Sequence, residues 1–258
     1  MERHGTSPKK ATTQQVLDLQ HEFGRVFQNI PFDLAKKILS NKTQTRKLLT
    51  DVCKKLNIPF QSESILTQLP LLEKYYQEVY GITLDLSGIT FPENPDFPVI
   101  MVDDLSQYED QIMDCIQKFF NKPDSPVNLY KYKNPVAKNI DRESEKLQVR
   151  TLQSGLVVFA HKGGDEPDLL NMSYNTTIEK KIQFMKYREY LRATGFHRFT
   201  KGYFMDRNGW TRTSSLWFDG YLVIGSWFDG DAELCADSDN VDRTHPYDGP
   251  RQLFLSLP

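Results

Sequence analysis

His161, Asp165, Glu166 and Asp168 crowd into one short stretch around the pair Gly163-Gly164, directly after the apolar run Leu156 to Ala160. An imidazole among carboxylates is the residue set of general acid–base chemistry, and a loop carried by a buried strand is where such groups are commonly held. A hydrolase or metal-dependent enzyme centred on His161, with Asp165 and Glu166 beside it, is therefore one expectation. No nucleophile accompanies it: the chain has no G-x-S-x-G elbow and no cysteine visibly paired with a histidine.

A second set of oxygen donors begins at Asp229. Alternation along a strand would put Asp229, Asp231 and Glu233 on one face, with Asp237, Asp239 and Asp242 behind them, a donor set suited to calcium or magnesium. The spacing departs from the EF-hand loop, which needs glycine at its sixth position and glutamate at its twelfth. The simpler expectation is an acidic sheet edge that resists pairing with other chains. The motifs that cradle phosphates or dinucleotides, G-x-x-x-x-G-K-[ST] and G-x-G-x-x-G, are absent, as are H-E-x-x-H and C-x-x-C; no cofactor is expected. Asp103 and Asp104, at the end of the apolar run Val99 to Val102, read as solvated turn or helix-cap residues.

The third constellation is basic and aromatic. The net charge of -2 hides a stretch from Lys180 to Arg212 with 9 Lys or Arg against 2 Asp or Glu, while residues 61 to 179 hold 10 against 19. Tyr187, Tyr190, Phe196, Phe199, Tyr203, Phe204 and Trp210 are interleaved with the cations. Cations on phosphates and rings stacked on bases are what a nucleic-acid surface needs. Lys181, Arg188, Arg192, Arg198, Lys201 and Arg207 are the expected contacts, provided they converge on one surface and are not paired with the acidic regions. A helix that buries its aromatics and solvates its cations explains the same composition. The basic segment with Lys36, Lys37, Arg46, Lys47, Lys54 and Lys55 offers an alternative surface.

The elements that would position these groups follow from periodicity. Residues 1–12 are polar and aperiodic and read as a tail. Residues 13–81 carry apolar residues at three- and four-residue steps, the pattern of helices, the last running from Ser64 to Tyr80 and stopped by Gly81, with Pro70 as a kink or its true first turn. Beyond residue 82 the texture is mixed: buried strands at 99–102 and 156–160, strand candidates at 127–132 and 147–152, and a helix at 108–120. A further helix spans Thr176 to Thr194, capped by Thr176 or Thr177. Trp-Phe-Asp-Gly occurs at 217–220 and again at 227–230, so two successive hairpins are expected. The first would turn on Asp219-Gly220 with Leu216 facing Val223 and Arg212 facing Trp227. A strand at 252–257 would close that sheet.

Tyr203-Phe-Met-Asp-Arg-Asn-Gly-Trp210 and the hairpins after it resemble the closing module of a group of candidate-phyla bacterial proteins that join helical N-terminal segments to a small β-rich module. The likeness covers about the last quarter of the chain. It implies a bacterial, intracellular setting and brings no activity, cofactor or catalytic residue. The acidic run after Asp229 and the loop His245-Pro-Tyr-Asp-Gly lie outside the likeness.

Together these patterns predict an α+β protein: a 1–12 tail, a helical region over 13–81, and an 82–258 domain with a central sheet and a C-terminal antiparallel β-meander. No apolar run approaches the roughly 20 residues of a membrane helix, no secretory leader is visible, and Cys53, Cys115 and Cys235 are scattered, which together point to the cytoplasm. With no complete catalytic set, the leading expectation is a non-enzymatic binding or interaction module, its partner another protein or a nucleic acid. Trp217 and Trp227 are its partner-binding candidates if their indoles are exposed.

Overall fold

A computed structural model describes residues 63–94 and 96–255. The tail, the helices expected between 13 and 56 and the basic residues on them lie outside the described residues. Glu63–Leu84 and the chain from Phe91 onward form one compact unit, and Asp85–Thr90 belong to another. Those six residues make a local turn in which the Ile89 amide donates to the Leu86 carbonyl and the Ser87 amide to the Asp85 carboxylate.

The main unit is α+β, with helices against one antiparallel and one mixed sheet. It opens with α1 (Glu63–Tyr75), which runs through Pro70 instead of starting there and widens into a π-turn over Tyr76–Tyr80. Gly81 ends it at φ 68°, a left-handed conformation that glycine adopts without steric cost. The wider turn lets Tyr75, Tyr76 and Tyr80 all point inward, where they are buried. Among the described residues no helix is long and apolar enough to cross a membrane.

Sheet 1 is built on β5 (Leu156–His161), every residue of which is buried, as its unbroken apolar run requires. β1 (Val99–Asp103) pairs with it antiparallel from Val99↔His161 to Asp103↔Val157. On the other edge lies β10 (Phe254–Leu255), and the short β4 (Leu152–Gln153) also pairs with β5. The expected strand over 147–152 is thus reduced to its last residue. The expected closing strand forms, but it closes sheet 1 and not the meander.

Sheet 2 has the order β2 (Asn128–Lys131), β8 (Glu233–Asp239), β7 (Leu222–Phe228), β6 (Trp210–Trp217), β3 (Ile140–Asp141), with β9 (Asp248–Pro250) parallel to β6. The two Trp-Phe-Asp-Gly copies do sit at consecutive antiparallel hairpins. The first turn is one residue longer than expected: the Trp217 amide donates to the Tyr221 carbonyl and Gly220 sits at φ 84°. A three-residue loop with glycine in the left-handed region shifts the register, and an irregularity between Arg212 and Leu216 shifts it again. Leu216 therefore faces Leu222, and Arg212 faces Ile224 instead of Trp227.

The helix expected from Thr176 to Thr194 is two helices, α5 (Tyr174–Glu179) and α6 (Tyr187–Lys201), with α5 capped by Ser173 and not by Thr176 or Thr177. The break is imposed from outside. The Met185 amide donates to the Arg251 carbonyl, the Leu253 amide to the Gln183 carbonyl and the Ser214 amide to the Met185 carbonyl, so the linking residues run extended between both sheets. Between β1 and sheet 2, α6 packs on β1 and on β6 and β7, beside α2 (Glu109–Phe120). Short helices α3 (Val136–Asn139) and α4 (Arg142–Glu145) flank β3. Gly225 on β7 has no room for a side chain, because a Cβ there would lie 2.2 Å from the Tyr190 ring of α6.

Candidate functional site

The N-terminal end of α6 forms one wall of an open cleft of about 350 Å³, lined by Leu105, Glu145, Lys146, Gln148, Val149, Arg150, Leu152, Val157, Lys186, Arg188 and Glu189. α4 supplies Glu145, the irregular chain after it supplies residues 146–150, and sheet 1 contributes Leu152 and Val157. The rim is apolar and open: Leu152 is 53 % and Val149 71 % exposed. The floor is charged and almost wholly paired.

Arg150 and Glu189 form a buried, two-pronged pair, with Nε to Oε1 at 2.6 Å and Nη2 to Oε2 at 2.8 Å. Arg150 also donates to the Phe184 carbonyl and to Gln183 Oε1. Glu189 reaches back to accept from the Lys186 amide at 2.8 Å, one arm of a capping box that starts α6. Burial pushes the Glu189 carboxyl up, but the Arg150 charge and these hydrogen bonds outweigh it and hold the group below its usual range.

Next along α6, Arg188 Nε donates to Asp103 Oδ2 at 2.7 Å, and one turn on Arg192 Nη2 donates to Asp104 Oδ1 at 2.7 Å. Asp103 and Asp104 are thus not solvated caps. They are buried carboxylates at the end of β1 that tie α6 to sheet 1, with the Arg192 guanidinium lying 4.0 Å from the Tyr80 ring centroid. Glu145 accepts from Arg142 and Ser215, and Lys146 pairs with Glu143. Lys186 is the exception. Among the described residues its ammonium has neither an ion pair nor a side-chain hydrogen bond, although it is half-buried. Desolvation pulls its pKa down; Glu189 and Glu145 oppose this, while Arg150 and Arg188 add to it, and the balance is a lowered value.

The residues singled out in the sequence fall elsewhere. His161 ends β5 and is completely buried, its Nδ1 accepting the Gly163 amide at 3.0 Å, so the ring proton belongs on Nε2, which has no partner among the described residues. Burial, then the charge of Arg251 and the neighbouring His197, hold its pKa well below the usual imidazole range. His197, on α6, is lowered to about 4, chiefly by burial and then by Arg251. Asp165 pairs with Arg207, Glu166 is exposed, and Asp168 accepts the Gln252 amide. The Gly163 and Gly164 carbonyls both accept from Arg251, which is fully buried and paired with Asp206. The loop is a clamp around a buried arginine, and among the described residues no hydroxyl or thiol bonds to either histidine.

Asp229 and Asp231 belong to the turn between β7 and β8, and only Glu233 is in a strand, so the three do not alternate along one face. Among the described residues no three His, Cys, Asp or Glu side chains are grouped to hold a metal ion. Of the six basic candidates, Arg188, Arg192 and Arg207 are engaged by Asp103, Asp104 and Asp165, in the acidic region whose pairing would remove them from a nucleic-acid surface. Arg198 donates to Ser125 and the Gly202 carbonyl, leaving Lys181 and Lys201 exposed. Trp217 and Trp227 are both buried, the first donating to the Asp237 carbonyl and the second packed 4.5 Å from the Phe204 ring. Beside them in the hairpins, Phe218, Tyr221 and Phe228 are exposed.

Lys186, Arg150 and Glu189 were not singled out by motif or spacing. One signal was present: Glu189 and Asp206 are the two carboxylates in the basic stretch 180–212, and each receives a buried arginine from outside it. No family model, no curated protein and no solved structure matches the chain.

Proposed function

We propose that the protein is a non-enzymatic binding module that takes a small anionic ligand with an apolar body into the cleft at the start of α6. The observation that carries this reading is the half-buried Lys186 ammonium, without a partner among the described residues, at a site where every other charged lining residue has one. Lys146, Arg150, Lys186 and Arg188 outnumber Glu145 and Glu189 in the lining, so the cleft favours an anion. Leu105, Val149, Leu152 and Val157 supply apolar wall, the mix of apolar lining and few placed polar groups that ligand sites use.

The test is thermal unfolding with and without a panel of small mono- and dicarboxylates, succinate among them. A ligand at a hundredfold excess over its Kd adds about 2.7 kcal/mol of stability, and Lys186→Met is expected to abolish that protection. Equal protection of wild type and Lys186→Met, or none by any carboxylate, overturns the reading.

A further inference from the structure

An amine captures a carbonyl carbon only if its nitrogen is unprotonated for part of the time, is not held by a neighbour, and faces space for the partner. Lys180, Lys181 and Lys201 stand exposed on the surface, and four other described lysines are held: Lys131 by Asp110 and Asp114, Lys133 by Asp219, Lys146 by Glu143 and Lys74 by Glu78. Lys186 is not, and it opens on the cleft. Its carboxylate neighbours are already matched, Glu189 by Arg150 and Glu145 by Arg142, so neither is placed to lock it as an ammonium. Desolvation, with the two flanking arginines, favours the neutral form, the arrangement that activates lysine nucleophiles generally.

Arg188 completes the recognition. It gives its Nε to Asp103, and its two Nη nitrogens are without a bond among the described residues, on the same wall as Lys186. A guanidinium edge of that kind matches a carboxylate.

We infer that Lys186 condenses reversibly with the aldehyde or ketone carbon of a small carboxylate-bearing carbonyl compound seated in the cleft, Arg188 holding the carboxylate. The Nζ lone pair forms the C–N bond and gives a carbinolamine. The carbonyl oxygen then leaves as water with the two hydrogens of the neutral amine, and a C=N bond remains. No oxidant or reductant takes part, and hydrolysis reverses the step. This rests on the cleft being the binding site, and it specifies the class of ligand captured there.

The experiment is incubation of the full chain with glyoxylate near neutral pH, reduction with borohydride, and peptide mapping of the trapped lysines. A lowered pKa raises the neutral fraction of the amine, and the cleft holds the aldehyde beside it, so Lys186 should be labelled in clear preference to the exposed Lys180, Lys181 and Lys201. Lys186→Arg should lose the label, and Arg188→Gln should lower labelling by glyoxylate but not by propionaldehyde. Uniform labelling across the lysines, with succinate still protective, overturns the covalent step and leaves the binding reading standing. Absence of both label and succinate protection overturns both. Equal selectivity for Lys186 with propionaldehyde overturns the assignment of Arg188 to the carboxylate.

Discussion

Replacing Glu189 by Gln keeps the side-chain shape and removes its charge from beneath Arg150. The pair is almost wholly out of solvent, with side-chain exposures of 4 % for Arg150 and 2 % for Glu189. Gln retains one acceptor oxygen; placed where Oε2 stands it keeps the bonds from Arg150 Nη2 and the Lys186 amide, and the bond from Arg150 Nε to Oε1 is lost. At about 1.5–3 kcal/mol for a hydrogen bond to a charged group, that bond alone costs about 1.5–3 kcal/mol. Orphaning one member of a buried ion pair independently costs about 3–5 kcal/mol. For a unit of this size that is a fall in Tm of about 6–20 °C. All three tryptophans, Trp210, Trp217 and Trp227, sit in sheet 2, so their fluorescence during urea unfolding reports on this unit alone. The double variant Arg150→Met/Glu189→Met should cost less than the sum of the single changes, because it leaves no unpaired charge behind. A cost for Glu189→Gln below about 1 kcal/mol, or single effects that add to within about 0.5 kcal/mol, would refute the argument. The sign with pH also follows. A carboxyl whose folded pKa is depressed contributes stability above its unfolded value of about 4.3 and loses it as pH falls through the folded value, so this acid-side loss should vanish in Glu189→Gln.

His161 and His197 act in a higher window. Both folded pKa values lie below the unfolded imidazole value, so stability is full above about pH 6.5 and declines as pH falls toward the folded values, about 4 for His197. Two such groups give a slope of up to roughly 2.7 kcal/mol per pH unit; urea midpoints at pH 7 and 5 should converge in His161→Gln/His197→Gln, and an unchanged gap would show that other groups set it. Gly225→Ala drives a methyl into the Tyr190 ring and should cost about 1–3 kcal/mol, partly recovered by Tyr190→Leu; a neutral effect in calorimetry would mean that α6 and β7 are not in such close contact.

The parts of the fold legible in the sequence are those whose cause is local. Val99 to Val102 and Leu156 to Ala160 could be read as strands because burial on both faces leaves an unbroken apolar run. The repeated Trp-Phe-Asp-Gly marks real hairpin ends because turn chemistry is written in adjacent residues. Gly81 marks the end of α1 for the same reason. What failed depended on distant partners. Asp103 and Asp104 look like solvated caps until Arg188 and Arg192, 85 and 88 residues on, are folded against them. Ile178, Ile182 and Met185 show a helical stripe, yet Gln183 and Met185 are claimed by Leu253 and Arg251, and propensity yields to those bonds. In α6 the expectation of buried rings and solvated cations holds for Tyr187, Tyr190 and Phe196 but not for Arg192. The cleft was illegible because its distinguishing trait, a half-buried lysine with no partner among the described residues, is a property of what surrounds a residue and leaves no pattern along the chain.

The short stretch from Asp248 to Leu255 supplies β9 to sheet 2, β10 to sheet 1 and, between them, Arg251 to Asp206. On a ribosome this stretch emerges after every strand it joins. At about 5–20 residues per second, the 45 residues from Asp206 to Arg251 take about 2–9 s to make. Throughout that interval Asp206 has no Arg251 to meet, β5 lacks its β10 neighbour and the Gly163-Gly164 carbonyls lack their donor. Until the clamp arrives the nascent chain therefore presents strand edges at β5 and β6 without these partners, and such edges are where pairing with another chain starts.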